Sequence, residues 1–202
     1  MGKRVLVTTT TMMFYPEHKD NDKFILGDWP EEYLPKDESI TLFAKTMIDE
    51  KIKGPDSKEI EKIYNKNIFD IILIEADGAK RKPITAPAGH EPLVPDFTGV
   101  TIGVIGLDSI GKVLDEENTH RPELLKEIFN VEMPHKIEPR DIIELIINEN
   151  GLFKDSSGRK IVFLNKADDD DLIFLGKIIR KLLEQKEIKD VYITSLIEKN
   201  IY

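Results

Sequence analysis

Five short apolar, β-branched runs, none holding a charge, recur along the chain: Val5-Leu6-Val7, Ile71-Ile72-Leu73-Ile74, Val100 to Ile105, Ile161-Val162-Phe163-Leu164 and Val191-Tyr192-Ile193. They are continuous, not alternating, which fits strands covered on both faces and therefore a parallel sheet. Helical patterns lie between them. Ile40, Phe43, Ala44, Met47 and Ile48 fall at helical spacing and predict a helix over Ser39 to Lys53, stopped by Gly54-Pro55. Asp56 or Ser57 is expected to cap a second helix carrying Ile60, Ile63 and Tyr64. Pro139 suits the first turn of a third, through Ile142, Ile143, Ile146 and Ile147, with Gly151 just past its end. Leu172, Leu175, Ile178, Ile179, Leu182 and Leu183 mark a fourth.

Strands alternating with helices imply crossover connections, hence an α/β three-layer sandwich around a mainly parallel sheet. Ligands of such sheets bind beyond the carboxyl ends of the strands. The residues there are Thr8 to Thr11, Glu75-Ala76-Asp77-Gly78, Gly106-Leu107-Asp108, Asn165-Lys166-Ala167-Asp168 and Thr194-Ser195. A length of 202 residues suits a single domain over residues 1–202. Two stretches, 17–36 and 76–97, are rich in Pro, Gly and charge and read as long loops without regular structure, a kind that is usually functional.

Composition removes several classes of function. The net charge of −9 argues against a nucleic-acid partner. The absence of cysteine excludes disulfides, thiolate metal sites and a cysteine nucleophile. No apolar run approaches the roughly 20 residues of a membrane span, and the N-terminus has no signal-peptide core, so the cytoplasm is the expected compartment.

Asn165-Lys166-Ala167-Asp168, directly after an apolar run and at a helix start, is the N-K-x-D pattern of guanine-binding proteins. There the Asp carboxylate accepts both N–H groups of the guanine edge, the Asn contacts the base or braces the loop, and the Lys stem lies along the ring. Ser195 stands where a second base-contacting loop is expected. The bland reading is that Asp168 only caps the helix. Glu75 and Asp77, with Gly78 allowing close approach, form the kind of strand end that holds Mg²⁺ or its water. The bland reading there is a solvated turn in which Gly78 supplies a positive φ. Thr10 and Thr11 offer hydroxyls and amides for phosphate or Mg²⁺, or are simply good strand residues. Lys80, Arg81 and Lys82 place three cations together in an acidic chain and suit an anion. His90-Glu91 and His120-Arg121 add imidazole, carboxylate and guanidinium groups of acid–base or metal-binding type. No Gly-x-x-x-x-Gly-Lys-Ser/Thr phosphate loop occurs anywhere in the sequence.

Taken together, Val7 to Thr11, Ile74 to Pro83, Ala86-Pro87-Ala88 with His90-Glu91-Pro92, Ile105 to Asp108, His120-Arg121-Pro122 and Asn165 to Asp168 resemble the YqeC family. That family is described as accessory proteins of selenium-dependent molybdenum hydroxylases. The resemblance implies a P-loop NTPase-like fold and nucleotide-driven maturation of a metalloenzyme, with GTP or ATP and Mg²⁺ as cofactors. A client molybdenum hydroxylase, or its maturation factors, would be the partner. It places Glu75 and Asp77 in the catalytic role and Thr11, Glu75 and Asp77 at the metal. Thr10, Thr11, Gly78, Asn165, Lys166, Asp168 and Ser195 would bind nucleotide. Lys80, Arg81, His90, Glu91, His120 and Arg121 would face the delivered species. Family members begin with a strand, a Gly-rich phosphate loop and a helix, a unit of roughly 30 residues. Here Met1 to Arg4 open directly onto the Val-Thr-Thr-Thr-Thr strand, and Met12 stands where a lysine is expected, so hydrolysis would need a phosphate loop that these residues do not supply. Loss of that strand would expose sheet edges and favour pairing with another chain, including a homo-oligomer. Two other readings are a non-catalytic scaffold of the same fold and a small-anion-binding protein that works without nucleotide.

Overall fold

The computed structural model describes residues 2–16, 21–89 and 91–202, so His18 and His90 lie outside the described residues. The chain divides into two compact units, Met1–Gly78 with Leu93–Pro95, and Ala79–Pro92 with Asp96–Tyr202. All five apolar runs are strands, but they are shared between two sheets. The architecture is α/β with parallel pairing in each unit.

In the first unit, β1 (Val5–Thr9), β3 (Lys23–Leu26), β4 (Ile40–Ala44) and β7 (Ile71–Glu75) form a parallel sheet in the order β3-β4-β1-β7. β1 runs in register with β7 from Val5 opposite Ile71 to Thr9 opposite Glu75. One face packs Leu6 and Phe43 against Trp29 and Ile63, the latter on α1 (Ser57–Asn65). Trp29 meets Tyr33, Phe43 and Phe69 edge-on at 5.6, 5.1 and 6.0 Å. Such pairs contribute about 0.5–1.5 kcal/mol each beyond simple burial. The other face packs Leu42 and Ala44 against Ile52 and Met13. Those two belong to an antiparallel sheet of β2 (Met12–Phe14), β6 (Lys51–Lys53) and β5 (Thr46–Ile48). The α1 start is as expected: the Asp56 carboxylate accepts from the Glu59 N–H at 2.8 Å.

The predicted helix over Ser39 to Lys53 does not form. Its first half is β4 and its second half is the β5–β6 hairpin, with Asp49 at φ 52° in the turn. Ile40-Thr41-Leu42-Phe43-Ala44 is a short apolar run whose periodicity suits a buried helix or a buried strand equally. Partners on both sides decide it, because β1 and β3 satisfy its backbone groups and Thr41 to Ala44 are buried on both faces. Likewise the expected loop 17–36 contains β3, held in line by β4. Between β7 and β8 no named strand or helix lies among the described residues, as the proline pattern foretold.

In the second unit, β8 (Val100–Gly106), β9 (Arg159–Asn165) and β10 (Val191–Ser195) are parallel, and the short β11 (Asn200–Ile201) closes antiparallel on β10. α2 (Pro122–Phe129), a helix the sequence reading missed, packs with α3 (Pro139–Ile147), which packs in turn with α4 (Asp170–Glu184). Leu125, Phe129, Ile142, Ile146, Ile179 and Leu183 join Ile105, Val162, Leu164 and Ile193 in one core. Burial of each large aliphatic side chain contributes about 1.5–3 kcal/mol. β8 is an edge strand of this sheet, and Val100, Ile102 and Val104 remain 48, 50 and 54 % exposed on it.

Gly54 is where the first unit tolerates no side chain: a Cβ there would lie 1.7 Å from the Thr9 carbonyl oxygen and 3.0 Å from Thr8 Oγ1. Gly54→Ala is expected to cost about 2 kcal/mol or more, the upper part of the usual overpacking range. Gly99→Ala meets nothing within 4 Å and should leave stability unchanged. Urea denaturation of the two variants checks the contrast.

Candidate functional site

The N-K-x-D segment follows β9 as its strand register requires. Helix α4 is capped by Asp169, not Asp168: the Asp169 carboxylate accepts from the Leu172 N–H at 2.8 Å. Asp168 is therefore spared the capping task, and its exposed carboxylate accepts instead from Ser195 Oγ at 2.6 Å. The Ser195 hydroxyl, which has one proton to give, accepts from the Glu198 N–H at 3.0 Å. Thr194 Oγ1 donates to Asn165 Oδ1 at 3.1 Å, and the Ala167 N–H donates to the Thr194 carbonyl at 3.0 Å. The ends of β9 and β10 thus bring Asn165, Lys166, Asp168 and Ser195 into one corner. Lys166 adopts a left-handed φ of 61°, and its ammonium lies 3.1 Å from Asp108 Oδ2, which Lys112 also reaches at 3.1 Å.

In the first unit the Glu75 backbone collects the threonines. Its carbonyl accepts from Thr9 Oγ1 and the Thr10 N–H, each at 2.9 Å. Thr10 Oγ1 donates to the Leu93 carbonyl at 2.8 Å, and the Thr11 N–H donates to Thr9 Oγ1 at 3.0 Å. Thr9 and Thr10 hydroxyls are thereby used in holding the strand end, and the Thr11 hydroxyl makes none of these bonds. Loss of hydration, followed by the nearby Asp77 charge, raises the Glu75 carboxyl above its ordinary value. Gly78 does not have a positive φ, so the turn explanation for it fails. A Cβ on Gly78 would stand 3.9 Å from Glu75 Oε1, in ordinary van der Waals contact. Among the described residues no group of three or more His, Asp or Glu is placed to hold a metal. A cation here would rest on Glu75, Asp77 and hydroxyl or solvent oxygens.

The cationic loop belongs to the second unit. Lys80 and Arg81 occupy the two central positions of a turn closed by the Lys82 N–H on the Ala79 carbonyl at 2.8 Å, and both are left-handed, at φ 48° and 64°. Asn and Gly are the usual occupants of such a turn. Two long cations there cost about 1 kcal/mol or more each. Lys82 turns away and donates to the Glu117 carbonyl. His120, only 9 % exposed, is fixed by its N–H on the Ile84 carbonyl at 3.0 Å and by Nδ1 beside Thr85 Oγ1 at 3.1 Å. Burial, then the charges of Arg121 and Lys80, lowers its pKa. Arg121 bonds the Ala86 carbonyl at 3.0 Å and pairs with Glu91.

Three contributors escaped the sequence reading. Lys154 Nζ binds the carbonyls of Ala88, Gly89 and Glu91 at 2.7, 3.1 and 3.1 Å and so shapes the proline-rich loop from 66, 65 and 63 residues away. Asp108 was only part of a strand end until the fold set Lys166 against it. Gly106 would bring a Cβ within 2.6 Å of Asp108 Oδ1 and 2.8 Å of Pro83 Cβ, so its lack of a side chain lets Pro83 of the cationic loop pack against the β8 end. No local signal marks Lys154; the glycine after the apolar run was the available hint for Gly106.

Comparison with known proteins agrees with these motifs. The family model described as YqeC protein matches residues 1–123. A curated relative, "Uncharacterized protein YqeC" of Escherichia coli (strain K12), is 26 % identical over 201 residues, covering 98 % of this chain and 78 % of the relative. No solved structure matches.

The raised Glu75 pKa has a signed consequence. Between the ordinary value of 4.5 and the raised folded value, the folded protein binds more protons than the unfolded chain, so stability falls as pH rises through that window. Glu75→Gln is expected to melt higher than the parent at pH 7 in chelator, the difference closing as pH approaches 4.5. Thermal melts across that range test it.

Proposed function

The chain belongs to the YqeC family, and from that premise we propose that it is a guanine-nucleotide-binding accessory protein in the maturation of a selenium-dependent molybdenum hydroxylase. The observation that carries the reading is the pairing of Asp168 with Ser195 while Asp169 caps α4. A carboxylate whose only task is a helix cap has no need of a hydroxyl from another strand to aim it. A base-reading carboxylate does, because both its oxygens must lie in the plane of the guanine N–H groups. Asn165 braces the loop through Thr194, and Lys166, steadied by Asp108, lays its stem beside the base.

Within the first unit, Glu75, Asp77 and the Thr11 hydroxyl would hold Mg²⁺, a hard cation that takes one or two carboxylates and completes its shell with water or phosphate oxygens. Such an ion neutralises charge on a phosphate group. Two neighbouring carboxylates, one with its ionisation suppressed, suit it, because the cation relieves their repulsion. Gly78 and Thr10, at the same strand end, would bind the nucleotide beside that ion. Lys80, Arg81, Glu91, His120 and Arg121 meet the species passed to the client enzyme, and His90 is assigned with them from the sequence alone. The role proposed is recognition of the nucleotide through Asn165, Lys166 and Asp168. The same reading takes the fold as P-loop NTPase-like and the cytoplasm as the place of action. It also allows self-association along an open strand edge such as β8, whose apolar side chains stay exposed.

Titration calorimetry with GTP, GDP and ATP tests base recognition. The parent is expected to prefer guanine nucleotides. Asp168→Ala should lower GDP affinity by about ten- to a hundredfold, the worth of one or two hydrogen bonds to a charged group, and erase the preference. Ser195→Ala should weaken it less. Equal affinity for GDP and ADP in the parent would refute the guanine reading.

A further inference from the structure

The hydrogen-bonding groups of the edge strand β8 can be sorted by side. The Arg159 N–H donates to the Gly99 carbonyl at 3.0 Å, so odd-numbered positions along this segment face β9. Pairing alternates, which turns the N–H and carbonyl groups of Val100, Ile102, Val104 and Gly106 outward. The Gly106 N–H is already given to the Pro83 carbonyl at 2.8 Å. The outward groups of Val100, Ile102 and Val104 meet no other strand among the described residues, since the sheet order ends at β8. An open stretch of ladder therefore runs from Val100 to Val104, and Ile102 is its midpoint.

Nothing in the sequence guards this edge. Phe97 to Leu107 hold no charge and no proline, two of the devices that keep strand edges from pairing. β3 and β7, the other edge strands longer than three residues, carry Lys23 and Glu75. In a chain of net charge −9, an uncharged edge is where a second copy can approach without setting like charges together. Val100, Ile102 and Val104 are β-branched and about half exposed, and they read Val-x-Ile-x-Val in either direction. A two-fold axis through Ile102 sets that residue opposite itself and Val100 opposite Val104 of the second copy. Facing β-branched side chains of this kind stabilise an antiparallel ladder. The far edge of the sheet, β11, is only two residues long, too short to extend the pairing, so association closes at two copies.

We propose that two copies of the chain join through β8 in an antiparallel pair centred on Ile102, which runs their four-stranded sheets together edge to edge. The proposal rests on the reading that an open strand edge takes a second copy, and it adds the strand, the register and the axis. It does not depend on nucleotide binding at Asp168.

The chain has no cysteine, so one introduced thiol reports one position. Facing Cα atoms of a hydrogen-bonded antiparallel pair lie about 5.5 Å apart, within the roughly 4.4–6.8 Å span of a disulfide. Ile102→Cys is expected to give a disulfide-linked dimer on mild oxidation. Val100→Cys is not, because its counterpart lies four residues along the ladder, about 14 Å away. Sedimentation of the full chain should show a dimer. Ile102→Lys and Ile102→Glu should each weaken association about tenfold or more by setting like charges face to face, and mixing the two variants should restore it. A parent that sediments as a monomer would overturn both the proposal and the reading of β8 as an association edge. A dimer that cross-links through Val100→Cys in place of Ile102→Cys, or that survives both charge substitutions, would overturn this register and leave strand-edge association standing.

Discussion

The ladder that sets Val5 opposite Ile71 also sets Thr9 opposite Glu75, and the chemistry of the first unit follows from that register. Parallel strands start together and end together, so their polar carboxyl-terminal residues gather at one edge. A slip by one residue would turn Leu6 out of the core and Glu75 away from the threonines. The second unit repeats the device. β8 and β9 run in register from Val100 opposite Arg159 to Gly106 opposite Asn165, and β9 and β10 pair through Ile193 opposite Leu164. The loops beyond then deliver Asp108, the N-K-x-D segment and Ser195 side by side.

On that frame, small local choices separate residues that hold the structure from residues left free to act. Capping by Asp169 releases Asp168. Thr9 and Thr10 spend their hydroxyls on the backbone, whereas Glu75 keeps a carboxylate raised by lost hydration and by Asp77. Lys82 is absorbed by the Glu117 carbonyl and Arg121 by Glu91 and the Ala86 carbonyl, while Lys80 is not absorbed by any carboxylate among the described residues. The backbone strain at Lys80 and Arg81 is a cost that persists where surrounding structure enforces it.

The strands of the two sheets were legible where an uncharged run was bounded by polar residues, as at Val100 to Ile105 and Ile161 to Leu164. α1, α3 and α4 were legible through caps, the Pro139 start and leucine spacing. Ser39 to Lys53 was not, because apolar positions spaced like a helix also fit a doubly buried strand followed by a hairpin. α2 escaped since its start has no capping side chain and lies behind a left-handed Arg121. Of the site, the N-K-x-D segment, Glu75 and Asp77 were readable from position at strand ends. Lys154, reaching carbonyls 63 to 66 residues distant, left no mark in any local window.

Sequence alone determined which residue types end the strands, since strand periodicity and side-chain chemistry are local properties. Folding assigned the tasks among near-identical neighbours. Asp168 and Asp169 are adjacent carboxylates, and only the position of Ser195 on β10 and of the Leu172 N–H on α4 tells the aimed one from the cap. The same holds for His120, whose Nδ1 is set 3.1 Å from the hydroxyl of Thr85, a residue 35 positions earlier in the chain. Hydrogen-bond direction depends on which groups meet in space, and chain order carries no record of that.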